Sequence, residues 1–526
     1  MMRGIPGILV IAFLSSLMAG CRGGADPVTP GIPEVSTASG VGKVSATNNP
    51  QVAQYSVTGA SGSPVMVEFG VDTSYPFKTW TQPVSADGQV KVLVAGMKAR
   101  TTYHMRAVTR LQDGTQSFDA DHTFTTGGLP PARIPQVNVT QPGGPSPNGG
   151  VELLDLISNS TGAGVNNQVQ VAAVDLQGNL VWYYDDPAIT AGLVPNPVKP
   201  LENGDLLVNY SGNGGDGSDS ILREVDLAGN TVWQFNGPDL QRKLSQAGFD
   251  FPLIGTHHDV AVLPNGHLIL IVSIQKAFNN LIGLPTTNVT GDGVVDLDEN
   301  KNPVWVWSAF DHLDVNRHPF MFPDWTHTNA VIYTPDDRNL ILSIRHQNWI
   351  IKLDYQDGRG SGNILWKLGS GGDFELKGGI DPNDWFYAQH APVITSPNSS
   401  GVFEMLLFDN GNDRIVDGSG DLCGGTGQPA CYSKVPILQV DENARTAQIV
   451  WQDTLPSFSF FGGYAQEFSN NNVEFDESAS SSTPPSASIF EVTQDPSPQL
   501  VLQMDVVGQY AYRAFRIPSL YPGVQW

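Results

Sequence analysis

Ten histidines are spread over 526 residues, and three of them recur at one point of a repeated pattern. The segments "HHDVAVLPNGHLILIVSI", "HTNAVIYTPDDRNLILSIR" and "HAPVITSPNSSGVFEMLLFDNG" begin at His257, His327 and His390. Each places a histidine before an apolar run, a polar turn and a second apolar run. Aligning the turns brings His258, His327 and His390 into register. Asn329 follows His327 by two residues, so on a strand it shares that face. Arg345 closes the next apolar run and can fold back toward the same end. Strand alternation sends His257 and Asp259 away from His258. His104, His122, His267, His312, His318 and His346 share no such register and read as structural or surface residues.

Three imidazoles, an amide and a guanidinium, with no carboxylate among them, fit two kinds of chemistry. Three histidines can hold zinc with one position open, although the arginine would repel the metal. Alternatively, arginine and histidine donors match the oxygens of a phosphate or sulfate group, and a neutral imidazole can attack its central atom. The sequence has no G-x-x-x-x-G-K-[ST] loop, which weakens a nucleotide-dependent route. It also lacks the C-x-P-x-R that would supply the modified cysteine of ordinary sulfatases. The expectation is therefore an oxyanion site with no cofactor and no metal. The bland alternative is that each histidine only braces a neighbouring repeat.

The elements that must hold these residues are strands. Apolar runs are short and bounded by Gly, Asn, Asp and Pro, with 56 Gly and 38 Pro in all, which is an all-β pattern. Runs bearing tryptophan recur as "NLVWYYD", "NTVWQFN", "NPVWVWSAF", "NILWKLG" and "QIVWQDT". With a last unit from about 462 to 518 they make six units of four strands, which predicts a six-bladed β-propeller over 150–526 rather than a solenoid. In a propeller the first strand of each unit lies nearest the axis, so the three histidines should converge at one mouth. The equivalent points of the second and last units fall near Asn196 and Tyr464. "TGDGVVDLDEN" resembles a calcium loop but lacks the full ligand series and reads as strand plus turn.

Ahead of the repeats, 31–127 alternates like a small β-sandwich. "GMKARTTYHMRAVTRLQDGTQSFDADHTFTTG" resembles the end of a fibronectin type III domain, with Tyr103 before an alternating strand. Residues 128–149 read as a Pro/Gly linker. "MMRGIPGILVIAFLSSLMAGC" reads as a lipoprotein signal over 1–21, with Cys21 as the lipidated end, followed by a flexible tether over 22–30. That predicts an exported lipoprotein touching membrane only through its anchor; a place in the periplasm of a Gram-negative cell is implied only by the family resemblance that follows. The remaining cysteines, Cys423 and Cys431, lie in "CGGTGQPAC" and read as a local disulfide. A net charge of −24 argues against nucleic acid as a partner.

"DWTHTNAVIY", "ILSIRHQNWIIKLD", "WKLGSGGDF", "AQHAP", "FDNGNDR" and "YRAFRIPSLYP" occur in order. In these the chain resembles the bacterial aryl-sulfate sulfotransferases. The resemblance implies a six-bladed propeller behind an N-terminal β-sandwich. It implies ping-pong transfer of a sulfuryl group from a phenolic sulfate ester to a phenol, through a sulfated histidine and without a nucleotide donor. His390 of "AQHAP" would be the nucleophile. His327, Asn329 and Arg345 would hold the sulfuryl oxygens, and His258 would contact the group or serve the leaving phenolate. The family's hydroxyl-bearing residue in the last unit has no Thr or Ser counterpart in "FFGGYAQEF"; Tyr464 is the substitute, and Tyr387 a candidate to stack the phenol. The alternatives are a hydrolase on the same site and a non-catalytic surface-binding protein. A homodimer is kept open.

Overall fold

The structure is a computed structural model that describes residues 34–35, 42–111, 113–158, 169–189, 192–212, 219–417, 420–480 and 486–526. The signal segment, Cys21 and the tether expected over 22–30 lie outside the described residues. The fold is all-β, as expected, with a single α-helix, Gly237–Gln246, among the described residues.

Six sheets, antiparallel except for one edge strand of the fifth, hold the strands described beyond residue 150. The second consists of Leu193–Pro200, Leu206–Gly212, Ile221–Val225 and Thr231–Asn236, and the third of Leu253–Val262, Leu268–Asn279, Thr286–Leu297 and Pro303–Ser308. The fourth runs from Thr328–Thr334 through Asn339–Ile344 and Trp349–Leu353 to Ile364–Leu368. The fifth runs from His390–Ile394 through Val402–Phe408 and Lys434–Asp441 to Thr446–Thr454, with Glu375–Lys377 on its far edge. "TGDGVVDLDEN" falls in the third strand of the third sheet.

The last unit is divided. Ala465–Glu467, Asn472–Glu477, Ala487–Thr493 and Leu500–Val506 form the sixth sheet, and Val137–Thr140 adds a fifth strand at its edge. Gln509–Ile517 instead leads the first sheet, pairing with Val151–Ser158, which continues to Val171–Val174 and Leu180–Tyr184. The first strand of each sheet packs against a strand of the next, and the sixth sheet contacts Gln509–Ile517 of the first. Strands from the two ends of the region beyond residue 150 therefore meet in one sheet.

The tryptophan strands are outermost in the first four sheets, second from the edge in the fifth, and most of their indoles tie one sheet to the next. Trp182 Nε1 donates to Leu227 O of the second sheet's last turn at 2.8 Å, and Trp307 to Gly362 O of the fourth at 2.9 Å. Trp366 donates to Glu442 of the fifth at 2.7 Å and Trp451 to Asp495 O of the sixth at 3.0 Å. Trp233 instead bonds Glu224 within its own sheet. A ring that fills an apolar seam while its one N–H reaches a carbonyl suits a repeated junction.

Residues 43–125 form two further sheets around Tyr55, Val67, Phe69, Val92 and Tyr103, all buried. This unit continues into the core of the first two large sheets: Asn49 Nδ2 donates to Tyr183 O and Gln51 Nε2 to Leu180 O. Cys423 and Cys431 stand with their sulfurs 2.06 Å apart.

Candidate active site

The leading strands of the third, fourth and fifth sheets each break register at the point where the sequence puts its histidine. The pairing slips between Thr256 and Val260, between Thr328 and Ala330, and between His390 and Val393. Such bulges turn a side chain out of the pleat. His258 and His327 adopt positive φ, 58° and 50°, and Ala391 follows His390 with φ 44°. Left-handed backbone outside glycine costs about 1–3 kcal/mol and persists where the surroundings enforce it, often at functional sites.

The bulges bring together most of the expected residues. The His258 and His327 rings meet edge to face at 4.6 Å between centroids. Tyr512, from the C-terminal strand, lies between His258 and His390, with centroids 5.6 and 6.1 Å away. Arg345 is buried at the end of the fourth sheet's second strand. Its guanidinium donates to Phe460 O at 3.0 Å, lies 5.2 Å over the Phe320 ring, and keeps Nε without a partner. Asn329 is fully buried; its Nδ2 donates to Gln389 O at 2.7 Å, tying the fourth sheet to the residue before His390.

The hydrogen bonds define the tautomers. Asn410 Nδ2 donates to Ser459 O and Gly462 O, so its Oδ1 is the atom that faces His390 Nδ1, at 2.6 Å. The His390 proton must therefore sit on Nδ1, leaving a lone pair on Nε2. Burial, followed by the Arg345 charge, holds His390 well below the ordinary histidine pKa, so the ring is neutral. Burial, then His327 and His257, does the same for His258. Arg345 is itself lowered to about 10 by burial.

Five contributors were not anticipated, Asn410 among them. His257 was expected to point away, but the bulge defeats alternation and sets its Nδ1 2.5 Å from His258 Nδ1. His346 stacks on His327 at 4.4 Å and takes a hydrogen bond from Arg345 Nη1 on Nε2 at 2.8 Å. Asp324 stands 2.6 Å from His327 Nδ1; burial would raise its pKa, but His327 and His346 outweigh that and bring it to about 2. Tyr512 places a buried, unpartnered hydroxyl in the cluster. Asp324, His346, Asn410 and Tyr512 all stand inside the quoted motifs "DWTHTNAVIY", "ILSIRHQNWIIKLD", "FDNGNDR" and "YRAFRIPSLYP", which gave them no role of their own.

Tyr464 and Tyr387 are not brought to the histidines. Tyr464 packs on Phe515, and Tyr387 is buried with its hydroxyl on Pro382 O. Tyr464 lines a cavity of about 940 Å³ with Lys199, Asp259, Ala330, Ala391 and Arg513. Several of these directly follow members of the histidine cluster in the chain. Arg513 Nη2 bonds Asn329 O, and Arg513 pairs with Asp259, so this layer divides the cavity from the histidines.

Asp324, His327 and His346 converge closely enough to suggest a metal. The donor set fits one poorly. His346 Nδ1 faces Asp324 O at 2.6 Å and Nε2 faces the Arg345 guanidinium, so both nitrogens are engaged beside a cation.

A buried neutral imidazole, His390, set beside an arginine and further histidines on the leading strands of consecutive sheets, is suited to group transfer through nitrogen. The chain belongs to the arylsulfotransferase (ASST) family, whose pattern matches residues 145–513. It is 23% identical to the arylsulfate sulfotransferase AssT of Escherichia coli over 259 residues, covering 37% of this chain and 40% of that protein's length. Solved structures with some likeness include the apocarotenoid oxygenase of Synechocystis (TM-score 0.30, 11% identity, 89% of this chain and 92% of that one). Another is the GH93 α-L-arabinofuranosidase of Fusarium graminearum (TM-score 0.28, 11% identity, 64% of this chain and 90% of that one). At these scores neither carries an argument about fold or function.

Proposed function

We propose that the protein is an aryl-sulfate sulfotransferase working by a ping-pong cycle. His390 Nε2 attacks the sulfur of a phenolic sulfate, an N–S bond forms, and the S–O bond breaks with its electron pair leaving on the phenolate. A second phenol then attacks the sulfohistidine, the N–S bond breaks, and the pair returns to Nε2. The observation that carries this reading is the Asn410–His390 pair, which pins a neutral ring with its lone pair on the nitrogen remote from Asn410. Charge spreads over the sulfuryl oxygens in the transition state, by analogy with phosphoryl transfer. Arg345, held beside the histidines before the reaction begins, offsets that charge without reorganisation.

The same proposal includes a six-bladed β-propeller. Its support is the cyclic order of contacts among the six sheets and the C-terminal strand that completes the first. A fibronectin type III-like sandwich precedes it. Tyr103 Oη there accepts from Lys98 N at 2.9 Å, a bond to backbone a few residues upstream like that of a tyrosine corner. Export on a Cys21 lipid anchor, with a Cys423–Cys431 disulfide, belongs to this reading too.

The test is to mix the protein with p-nitrophenyl sulfate, quench, and map the modified residue by mass spectrometry under alkaline handling. The expected product is sulfated His390, discharged on adding phenol. Sulfate release independent of phenol would instead favour hydrolysis. A label on His258 or His327 would remove His390 from its role.

A further inference from the structure

The cycle moves one proton in each half: the leaving phenolate takes one up and the acceptor phenol gives one away. We infer that His257 and Asp292 hold that proton in reserve, supplying it to the leaving phenolate in the first half and recovering it from the acceptor phenol in the second, both times through His258. This rests on the transfer chemistry proposed above.

The argument begins with the geometry. His257 Nε2 stands 2.9 Å from Asp292 Oδ1, somewhat off the line of an ideal hydrogen bond, and both side chains are almost wholly buried. Asp292 Oδ2 accepts from Thr326 Oγ1 at 2.6 Å and Thr328 N at 2.5 Å, so the carboxylate is fixed in place. A carboxylate beside Nε2 demands the proton there, which leaves His257 Nδ1 to face His258 Nδ1 at 2.5 Å. Two nitrogens at that distance share one proton. Among the described residues no protein group takes His258 Nε2, and the ring faces His327 and lies beside Tyr512.

Two states of this row differ by one proton. In the loaded state His257 carries hydrogens on both nitrogens, compensated by Asp292, and neutral His258 carries its hydrogen on Nε2. As the S–O bond of the donor breaks, Nε2–H passes to the phenolate oxygen and the His257 Nδ1 proton moves to His258 Nδ1. His258 is then a base with a lone pair on Nε2. The acceptor phenol gives its proton to that nitrogen as its oxygen bonds sulfur, and the Nδ1 proton returns to His257. No oxidant, metal or outside base enters.

The relay also resolves an electrostatic difficulty. Burial opposes a positive charge on His258, and the nearby Arg513 cation adds to that opposition. Moving the charge one ring outward puts it against Asp292. His257 faces Asp292 and His258, and Asp324 is close enough to feel its charge.

His257→Gln keeps a donor toward Asp292 but cannot pass a proton. Transfer should then depend more steeply on the basicity of the leaving phenol. Rates with phenyl sulfate should fall by about 10²-fold or more, the usual share of a general acid, and those with p-nitrophenyl sulfate far less. Equal losses for both donors would mean that His257 only supports the fold, and equal retention would mean that it does nothing; either overturns the relay. The unaltered protein gives a check that needs no variant. With phenyl sulfate, rates in mixed light and heavy water should follow a curve for two protons in flight, whereas a straight line contradicts it. Absence of a sulfated histidine or of phenol-dependent turnover in the unaltered protein would instead defeat the transfer reading itself.

Discussion

Asn410 Oδ1 accepts the Nδ1 proton of His390 at 2.6 Å, and the rest of the Asn410 amide is spent on Ser459 O and Gly462 O. A ring held in this way presents one nitrogen and one tautomer. Asn410 lies in the loop after the fifth sheet's second strand, and its two carbonyl partners lie in the segment leading to the sixth sheet. Orientation of His390, the proposed nucleophile, therefore depends on how these two sheets meet.

Asn410→Ala frees the His390 ring to rotate and to exchange tautomers. A misplacement of about 1 Å can cost 10²-fold, and sulfation of His390 in a single turnover should slow by about that much. Rapid quench with p-nitrophenyl sulfate reads it, with circular dichroism to confirm the fold. A slowing of less than about tenfold would assign the orientation to something other than Asn410.

Arg345→Gln should act on both rate and pH. Loss of one preorganised charge at a transition state costs about 10²–10³ in rate. Burial and then Arg345 lower the His390 pKa, so the unaltered protein should keep its neutral nucleophile below the ordinary histidine value of about 6.5. The acid limb of kcat/KM should lie below that value. Without the guanidinium the His390 pKa rises, and the limb should shift to higher pH. A limb that stays put while the rate falls would show that Arg345 does not act on His390 electrostatically.

The register of His258, His327 and His390 was legible because the polar turns that anchor it are themselves sequence signals. The tryptophan endings were equally legible as strands, although nothing in them announced that the Trp182, Trp307 and Trp451 indoles reach backbone carbonyls of the next sheet and Trp366 a carboxylate there. His257 was hidden by the rule used to read strands, since period-two alternation fails inside a bulge. His346 was hidden by a turn, Arg345–Gln347, that carries it back over His327. Tyr512 could not be foreseen from its own unit, because Gln509–Ile517 leaves that unit and joins a strand more than three hundred and fifty residues earlier. The substitute hydroxyl was sought at Tyr464, which faces the cavity on the far side of Arg513.

Trp182→Phe tests the indole junctions. Trp182 is fully buried and its Nε1 reaches Leu227 O at 2.8 Å. The substitution leaves that carbonyl without its partner, which costs about 1–3 kcal/mol, and opens a void beside it. The denaturant midpoint should fall with an unchanged slope, and sulfation of His390 should remain close to normal, because the junction lies at the outer edge of the sheet. Unchanged stability would reduce the junction to simple contact.

Arg516→Met tests the seam where strands from the two ends of the six-sheet region meet. Arg516 stands 3.1 Å from Glu152 of its own sheet and 2.5 Å from both Glu474 and Glu491 of the sixth, and all four side chains are essentially inaccessible. Burial raises the pKa of Glu474 well above the usual carboxyl value, and that of Glu152 as well, against the pull of Arg516. Methionine fills a similar volume but leaves these carboxyls without a cation, and breaking a buried set by removing one partner costs about 3–5 kcal/mol. The sign with pH follows from linkage. A carboxyl whose folded pKa is raised stays protonated in the fold, while the unfolded chain ionises above about 4.3. Its stability penalty is therefore absent at low pH and grows as pH rises toward the folded value. Removing Arg516 raises that folded value further, so the loss in Tm should be larger at pH 8 than at pH 5. A loss that is the same at both, or larger in acid, would mean that Arg516 holds the seam by packing alone.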